Sequence, residues 1–191
     1  MREAAVKVSK EEYRQRRRQL AGLLEADSVA VMAGRRHTGA FDIFRQNNEF
    51  FYVCGVDAPQ SYLLIEGKSG KTTLYLPGRD AKMERSEGAM VNATDPSAAQ
   101  FETGVDEVRH YDEFATDLVG SQVVYTPLEP GEGKQMCRDT VGHGRAANGL
   151  DPWDSSASRE EAFVRDLKDK IRTAEIRDLL QDRSSRDGSR R

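Results

Sequence analysis

Two runs of β-forming residues, 61–66 and 71–76, flank Gly67-Lys68-Ser69-Gly70, and no other feature restricts the possible folds of the chain as much. A glycine-bounded connection of this length predicts a β-hairpin. A hairpin cannot bury both of its faces alone, so further strands and covering helices are expected around it. Residues 28–32 predict a buried strand punctuated by Gly34, and residues 107–110 and 122–126 predict two more. Residues 49–54, apolar and aromatic, read as a strand ended by Gly55.

Helix starts are marked by caps. Ser9-Lys10-Glu11-Glu12 is a capping-box pattern. It predicts a helix with Tyr13, Leu20, Leu23 and Leu24 near one face, and with Arg14, Arg16, Arg17 and Arg18 in solvent. Residues 79–87 predict a short helix. Asp95-Pro96 supplies a cap and a first-turn proline for another, closed by Gly104. Asp112 is expected to cap a helix through Phe114 and Leu118 to Gly120. A second capping box, Ser158-Arg159-Glu160-Glu161, opens a helix with an apolar face of Phe163, Val164, Leu167 and Ile171, the segment most expected to be exposed or self-pairing. Ile176, Leu179 and Leu180 suggest one more short helix.

This order of elements predicts an α/β fold with a mixed sheet and helices on its faces. The first domain should span residues 9–130. A Gly-, Pro- and polar-rich excursion over 131–157 and a helical linker over 158–182 follow it. The final 183–191, without an apolar residue, is expected to be disordered.

The balance of 29 basic against 32 acidic residues, net −3, gives no general attraction to nucleic acid or membrane. No apolar run has the length of a spanning helix, and the first residues lack a signal-peptide core. The two cysteines, Cys54 and Cys137, make no disulfide framework, and Cys54 is expected to be a buried thiol. A cytoplasmic location follows as the expectation. The sequence holds no phosphate-binding glycine loop, no H-E-x-x-H pair and no C-x-x-C pair. His37, His110 and His143 are scattered, so neither a catalytic nor a metal-ligand set is expected. The arginine run 16–18 is flanked by Glu11, Glu12, Glu25 and Asp27, which suggests a solvated helix face.

The distinctive stretch is Phe44-Arg45-Gln46, then Asn47-Asn48-Glu49, then Phe50-Phe51-Tyr52-Val53-Cys54-Gly55, with Pro59 beyond. Its polar lead-in either holds a loop through hydrogen bonds to backbone carbonyls or faces a partner. Further on stands Arg79-Asp80-Ala81-Lys82-Met83-Glu84, with Gly88 after it. Together these residues resemble the N-terminal domain of the aminopeptidase P family of Xaa-Pro peptidases, related to the creatinase and prolidase N-domains. The resemblance runs in order over residues 9–126. It is carried by Phe44, Arg45, Gln46, Phe50, Tyr52, Gly55, Pro59, Arg79, Asp80, Glu84 and Gly88, as structural or interface residues. One departure is Ser86, where the family usually has tryptophan.

The resemblance implies a three-layer α/β/α domain, ribonuclease H-like in chain path. In the family it precedes a catalytic domain that binds two divalent metals, usually manganese, through two Asp, one His and two Glu, for hydrolysis of the bond before proline. None of those ligands is placed in this sequence, so no cofactor is expected in this chain, and the two Mn²⁺ belong to the missing catalytic domain. The implied partners are a further copy of the chain or a catalytic metallopeptidase domain, with no nucleic acid and no membrane. The implied function is a non-catalytic module serving oligomerisation and substrate access, inactive alone. The arginine-rich ending suggests a truncated, frameshifted or split gene product. The alternatives are half of a split enzyme, active only with a separate catalytic chain, and a free-standing binding module using the loop 45–49 or the basic helix 14–18.

Overall fold

The computed structural model describes residues 8–36, 44–128, 153 and 159–179. The elements are α1 (Lys10–Ala21), β1 (Ser28–Ala33), α2 (Asn48–Cys54), β2 (Tyr62–Glu66), β3 (Thr72–Leu76), α3 (Ala81–Glu87), α4 (Pro96–Thr103), β4 (Glu107–His110), a 3₁₀ turn (Tyr111–Glu113), α5 (Phe114–Asp117), β5 (Val123–Thr126), α6 (Arg159–Lys170) and β6 (Glu175–Asp178). The six strands form one sheet in the order β4-β3-β2-β1-β5-β6. β2 runs antiparallel to β1 and β3, while β1, β5 and β6 pair in parallel and β4 pairs in parallel with β3. Five strands therefore share one direction and β2 alone opposes them.

Alternation along the strands divides the core between two faces. Ala30 and Met32, Leu63 and Ile65, and Leu74 and Leu76 point to the face covered by α1, α2 and α4, where they meet Leu20, Phe50, Val53 and Ala99. Val31, Leu64, Tyr75 and Val124 point to the other face, against Phe114, Leu118, Leu167 and Ile171. This is the expected α/β arrangement, a mixed sheet with helices on both sides. The predicted hairpin is β2–β3, with Leu63 opposite Leu74. The caps foreseen at Ser9 and Asp95 both accept backbone N–H bonds, and Gly104 closes α4 in the left-handed conformation.

The structure corrects five expectations. Residues 48–54 form a helix, not a strand: Asn47 caps it by accepting from the Phe50 N–H, and Gly55 ends it at φ 71°. Phe50, Val53 and Cys54 are then buried at helical spacing, while Phe51 and Tyr52 face outward. The region of Ile176 is the strand β6, not a helix. Ile176 packs on one side of the sheet and Leu179 on the other. The helix α6 is packed rather than free, and Phe163 stacks on Tyr62 at 5.8 Å. His110, not Asp112, caps the 3₁₀ turn ahead of α5. Expectations for residues 37–43, for 129–152, for 154–158 with the capping residue Ser158, and for the tail from 180 onward lie outside the described residues.

The fifth correction concerns Arg17, which is 1% exposed instead of solvated. Tyr13, Arg17, Leu20 and Ala21 form the buried stripe of α1, so the arginine stands at an apolar position of the helical repeat. Among the described residues, the carboxylates beside α1 pair with Arg14, Arg16 and Arg18, and none pairs with Arg17. Its Nη1 donates to the Val53 carbonyl at 3.2 Å and its Nη2 to the Gly104 carbonyl at 2.6 Å. Those oxygens sit at the C-terminal ends of α2 and α4, where the backbone dipole is negative. Burial pulls the guanidinium below its ordinary pKa, yet an arginine keeps its charge across the physiological range. Arg17→Leu would strand both carbonyls, and a loss of about 2–4 kcal/mol is expected, measured as a lower urea midpoint.

Candidate functional site

The sheet directions place the distinctive residues together. Chain leaving β1, β3, β4 and β5 emerges at one end of the sheet, and chain entering β2 starts there. In open α/β sheets this carboxyl end, at the point where the strand order reverses, is the usual place for ligands and partners. Here the reversal lies between β1 and β5.

Gln46 is the hub of that end. Its Nε2 donates to the Ala58 carbonyl at 2.9 Å and to the Ser61 Oγ at 3.4 Å. Its Oε1 accepts the backbone N–H groups of Arg35 at 2.6 Å and Asn47 at 3.1 Å. Its own N–H donates to the Asp57 carboxylate at 2.8 Å. A single buried amide thus joins the exit of β1, the entry of α2 and the entry of β2. Gly34 is required for this closeness: a Cβ there would lie 2.6 Å from the Ser61 Oγ and 2.8 Å from the Gln46 Nε2. Asn47 donates to the Ala33 carbonyl while capping α2. Gln46 and Asn47 therefore make bonds of the loop-holding kind, while the Arg45 side chain is exposed and its carbonyl accepts from Arg35 Nη1. Phe44 is half-buried and Pro59 buried.

Beyond the hub, Phe50 is fully buried, but Tyr52 is 52% exposed. The Arg16 guanidinium lies over the Tyr52 ring, 4.1 Å from its centroid, and Nη1 donates to the Tyr52 carbonyl. Phe51 meets the edge of Tyr13 at 6.2 Å. Gly55 is needed twice over, for its positive φ and because a Cβ would fall 2.5 Å from the Tyr13 ring. Burial pushes the Cys54 thiol up to about 12, so it is a protonated core group and not a nucleophile.

The second group follows β3. Arg79 Nε donates to Glu84 at 2.7 Å, and the Arg79 N–H donates to the Thr94 hydroxyl. Asp80 caps α3 by accepting from the N–H groups of Met83 and Lys82, which hold its carboxyl below its ordinary pKa. Gly88 ends α3 at φ 91°. Both groups lie at the same end of the sheet, each with its own internal bonds.

Sequence reasoning missed the partners of Gln46: Gly34, Asp57 and Ser61 carry no motif. It also missed a charged chain across β3 and β4, where Lys71 and Arg109 both pair with Glu107, and Arg109 and the Tyr75 hydroxyl both reach Asp117. The hydrogen bond from Arg109, then that from Lys71, holds Glu107 below its ordinary pKa. These residues border a cleft of about 330 Å³ on the sheet, within which Lys71, Glu107, Arg109 and Asp117 pair among themselves. Among the described residues, no group of three or more His, Cys, Asp or Glu is placed to hold a metal ion. No described helix is long and apolar enough to cross a membrane.

Residues 13–123 match the family model described as the aminopeptidase P N-terminal domain. Xaa-Pro aminopeptidase 3 of Homo sapiens is 31% identical over 125 residues, covering 56% of this chain and 24% of that protein. Intermediate cleaving peptidase 55 of Schizosaccharomyces pombe is 32% identical over 100 residues, covering 48% of this chain and 21% of its own length. The chain spans about a quarter of the length of the curated relatives it matches. A solved structure from Bacillus anthracis assigned to aminopeptidase P superposes with a TM-score of 0.64 at 21% identity, over 90% of this chain and 38% of that one. Zinc-substituted aminopeptidase P of E. coli, in complex with product, gives 0.54 at 25% identity, over 62% and 29%.

Two measurements test the site geometry. Gln46→Leu should lower stability by about 2–4 kcal/mol, because buried N–H and C=O groups lose their partner. Arg79→Ala, which breaks an exposed ion pair, should cost at most about 1 kcal/mol. For Asp80 the sign follows from its depressed pKa. The folded state gains from the carboxylate at neutral pH, and that gain disappears as pH falls through the folded-state pKa. Thermal melts of Asp80→Ala should therefore fall below wild type at pH 7 and converge with it in acid.

Proposed function

Because the chain belongs to the aminopeptidase P N-terminal domain family, we propose that it is the non-catalytic N-terminal domain of an Xaa-Pro aminopeptidase-like metallopeptidase. The extent of the match carries this proposal. It begins within α1 and ends at the start of β5, so it covers the joined helices, the hairpin and both groups at the carboxyl end. The peptidase names belong to relatives of which this segment is about a quarter.

In this proposal the metal pair and the hydrolytic water belong to a catalytic domain. The donors among the described residues do not fit a two-metal centre, so no catalytic step is assigned to this chain. Its own work is positional. The Gln46 hub fixes the loop after β1 at the carboxyl end of the sheet. From there the domain narrows access to a neighbouring active site and contributes subunit contacts. Exposed Phe51 and Tyr52 on α2 support the contact role, since aromatic side chains are enriched in interfaces. A cytoplasmic location is part of the same proposal, supported by the free thiol of Cys54.

Incubation of the purified chain with Xaa-Pro peptides and added Mn²⁺ tests the proposal. No release of the N-terminal residue and no stoichiometric manganese by elemental analysis are expected. Metal-dependent turnover by the pure chain would overturn it. Light scattering is expected to show association, and a strict monomer at all concentrations would remove the subunit-contact role.

A further inference from the structure

The sheet ends in two edge strands that differ in how they are guarded. At β4 the Gln100 Nε2 donates to the Asp106 carbonyl at 2.7 Å, and the Glu113 carboxylate accepts the His110 N–H at 3.3 Å. Side chains of the same chain thus occupy the edge on either side of Val108, a usual protection against pairing with another molecule. At β6 the Glu175 N–H donates to the Gln122 carbonyl at 2.8 Å, and the Leu179 N–H to the Thr126 carbonyl at 3.0 Å. Residues 175, 177 and 179 therefore turn their backbone groups to β5, and the N–H and C=O of Ile176 point away from the sheet. Among the described residues, no side chain bonds to these two groups. β6 also lacks the proline or lysine that blunts an edge.

The charges on β6 are arranged symmetrically about Ile176. Glu175 and Arg177 flank it and share the opposite face of the strand. Arg177 bonds to Glu175 at 2.9 Å and to Glu25 at 2.8 Å, while the Glu175 side chain stays 62% exposed. An antiparallel copy of the strand centred on Ile176 sets each Glu175 opposite the other copy's Arg177, with the bonds inside each chain kept. Centring on Arg177 instead would oppose like charges, so the charges select the register. The same two-fold brings the outward N–H and C=O of both Ile176 residues within mutual reach. It also covers the half-buried Ile176 side chains, which pack on the sheet beside α6.

We propose that β6 pairs antiparallel with β6 of a second copy of this chain, joining two six-stranded sheets into one across a two-fold axis at Ile176. This deepens the subunit-contact reading, on which it rests, by naming the strand that makes the contact and its partner. An edge of four residues gives a small interface, so the dimer forms and dissociates with concentration.

Sedimentation velocity of the full chain over a concentration series tests this, together with hydrogen exchange of single amides by NMR. A monomer–dimer equilibrium is expected, in which protection of the Ile176 N–H rises with concentration and that of Val108 does not. Ile176→Pro removes an N–H that β5 does not use and should abolish the dimer. Glu175→Lys and Arg177→Glu should each weaken dimerisation about tenfold. Mixing these two charge variants should restore it, because opposite charges again face each other at both positions. A mixture that associates no better than either variant alone would overturn the proposal. A dimer weakened by Phe51→Ser/Tyr52→Ser but not by the β6 variants would overturn the edge pairing and keep the subunit-contact reading, whereas a strict monomer would overturn both.

Discussion

The helical layer of α1, α2 and α4 is joined by one positive charge that, among the described residues, has no carboxylate partner. Arg17 answers the unbonded carbonyls at the ends of two other helices, and those helices are short: seven residues for α2 and eight for α4. Segments of that length do not persist on their own helical propensity and take their stability from docking. The guanidinium gives them a directional docking point that leucine could not supply. An apolar contact tolerates rotation of one helix over another, whereas two hydrogen bonds to named carbonyls do not. The angle of α1 to the sheet, and with it the position of the whole outer layer on that side, follows from this geometry.

The Gln46 hub solves the complementary problem at the end of the sheet. The chain must leave β1, form a helix and return as the antiparallel β2, so several backbone polar groups would be stripped of water together. One amide with a donor and an acceptor end, assisted by Ser61 and Asp57, satisfies them. Its bonds need close approach, and Gly34 permits it. The shared motif is thus explained by backbone satisfaction around a tight reversal. The exposed Arg45, Phe51 and Tyr52 around it remain available for contacts.

The sheet and its two covering layers were legible because capping boxes, turn residues and alternating strands are local signals. The β2–β3 hairpin and the caps at Ser9 and Asp95 are examples. The helix at 48–54 was also legible in principle from Asn47 and Gly55, but its β-branched and aromatic content favoured a strand, and burial at helical spacing decided the matter. Arg17 failed for a different reason. Its charge signals exposure, whereas its place between Tyr13 and Leu20 on the apolar stripe points inward. At the site, Gln46 stood out as a motif residue, but its partners did not. Asp57 and Ser61 are common loop residues whose roles exist only once the strands are aligned. The strand β6 was missed because its four residues alternate too briefly to be told from one helical turn.

The placement of β1 has a kinetic consequence. Its pairing with β2 closes a loop of moderate size, while its pairing with β5 joins Val29 to Val124 across most of the described chain. Closing long loops costs more entropy and slows the step that requires them. The antiparallel unit β1–β2–β3 can therefore assemble first and present the bare edge of β1 until β5 and then β6 arrive. During that interval a central strand of the finished sheet is also an exposed template for pairing, so crowding of nascent chains penalises this fold before it is complete.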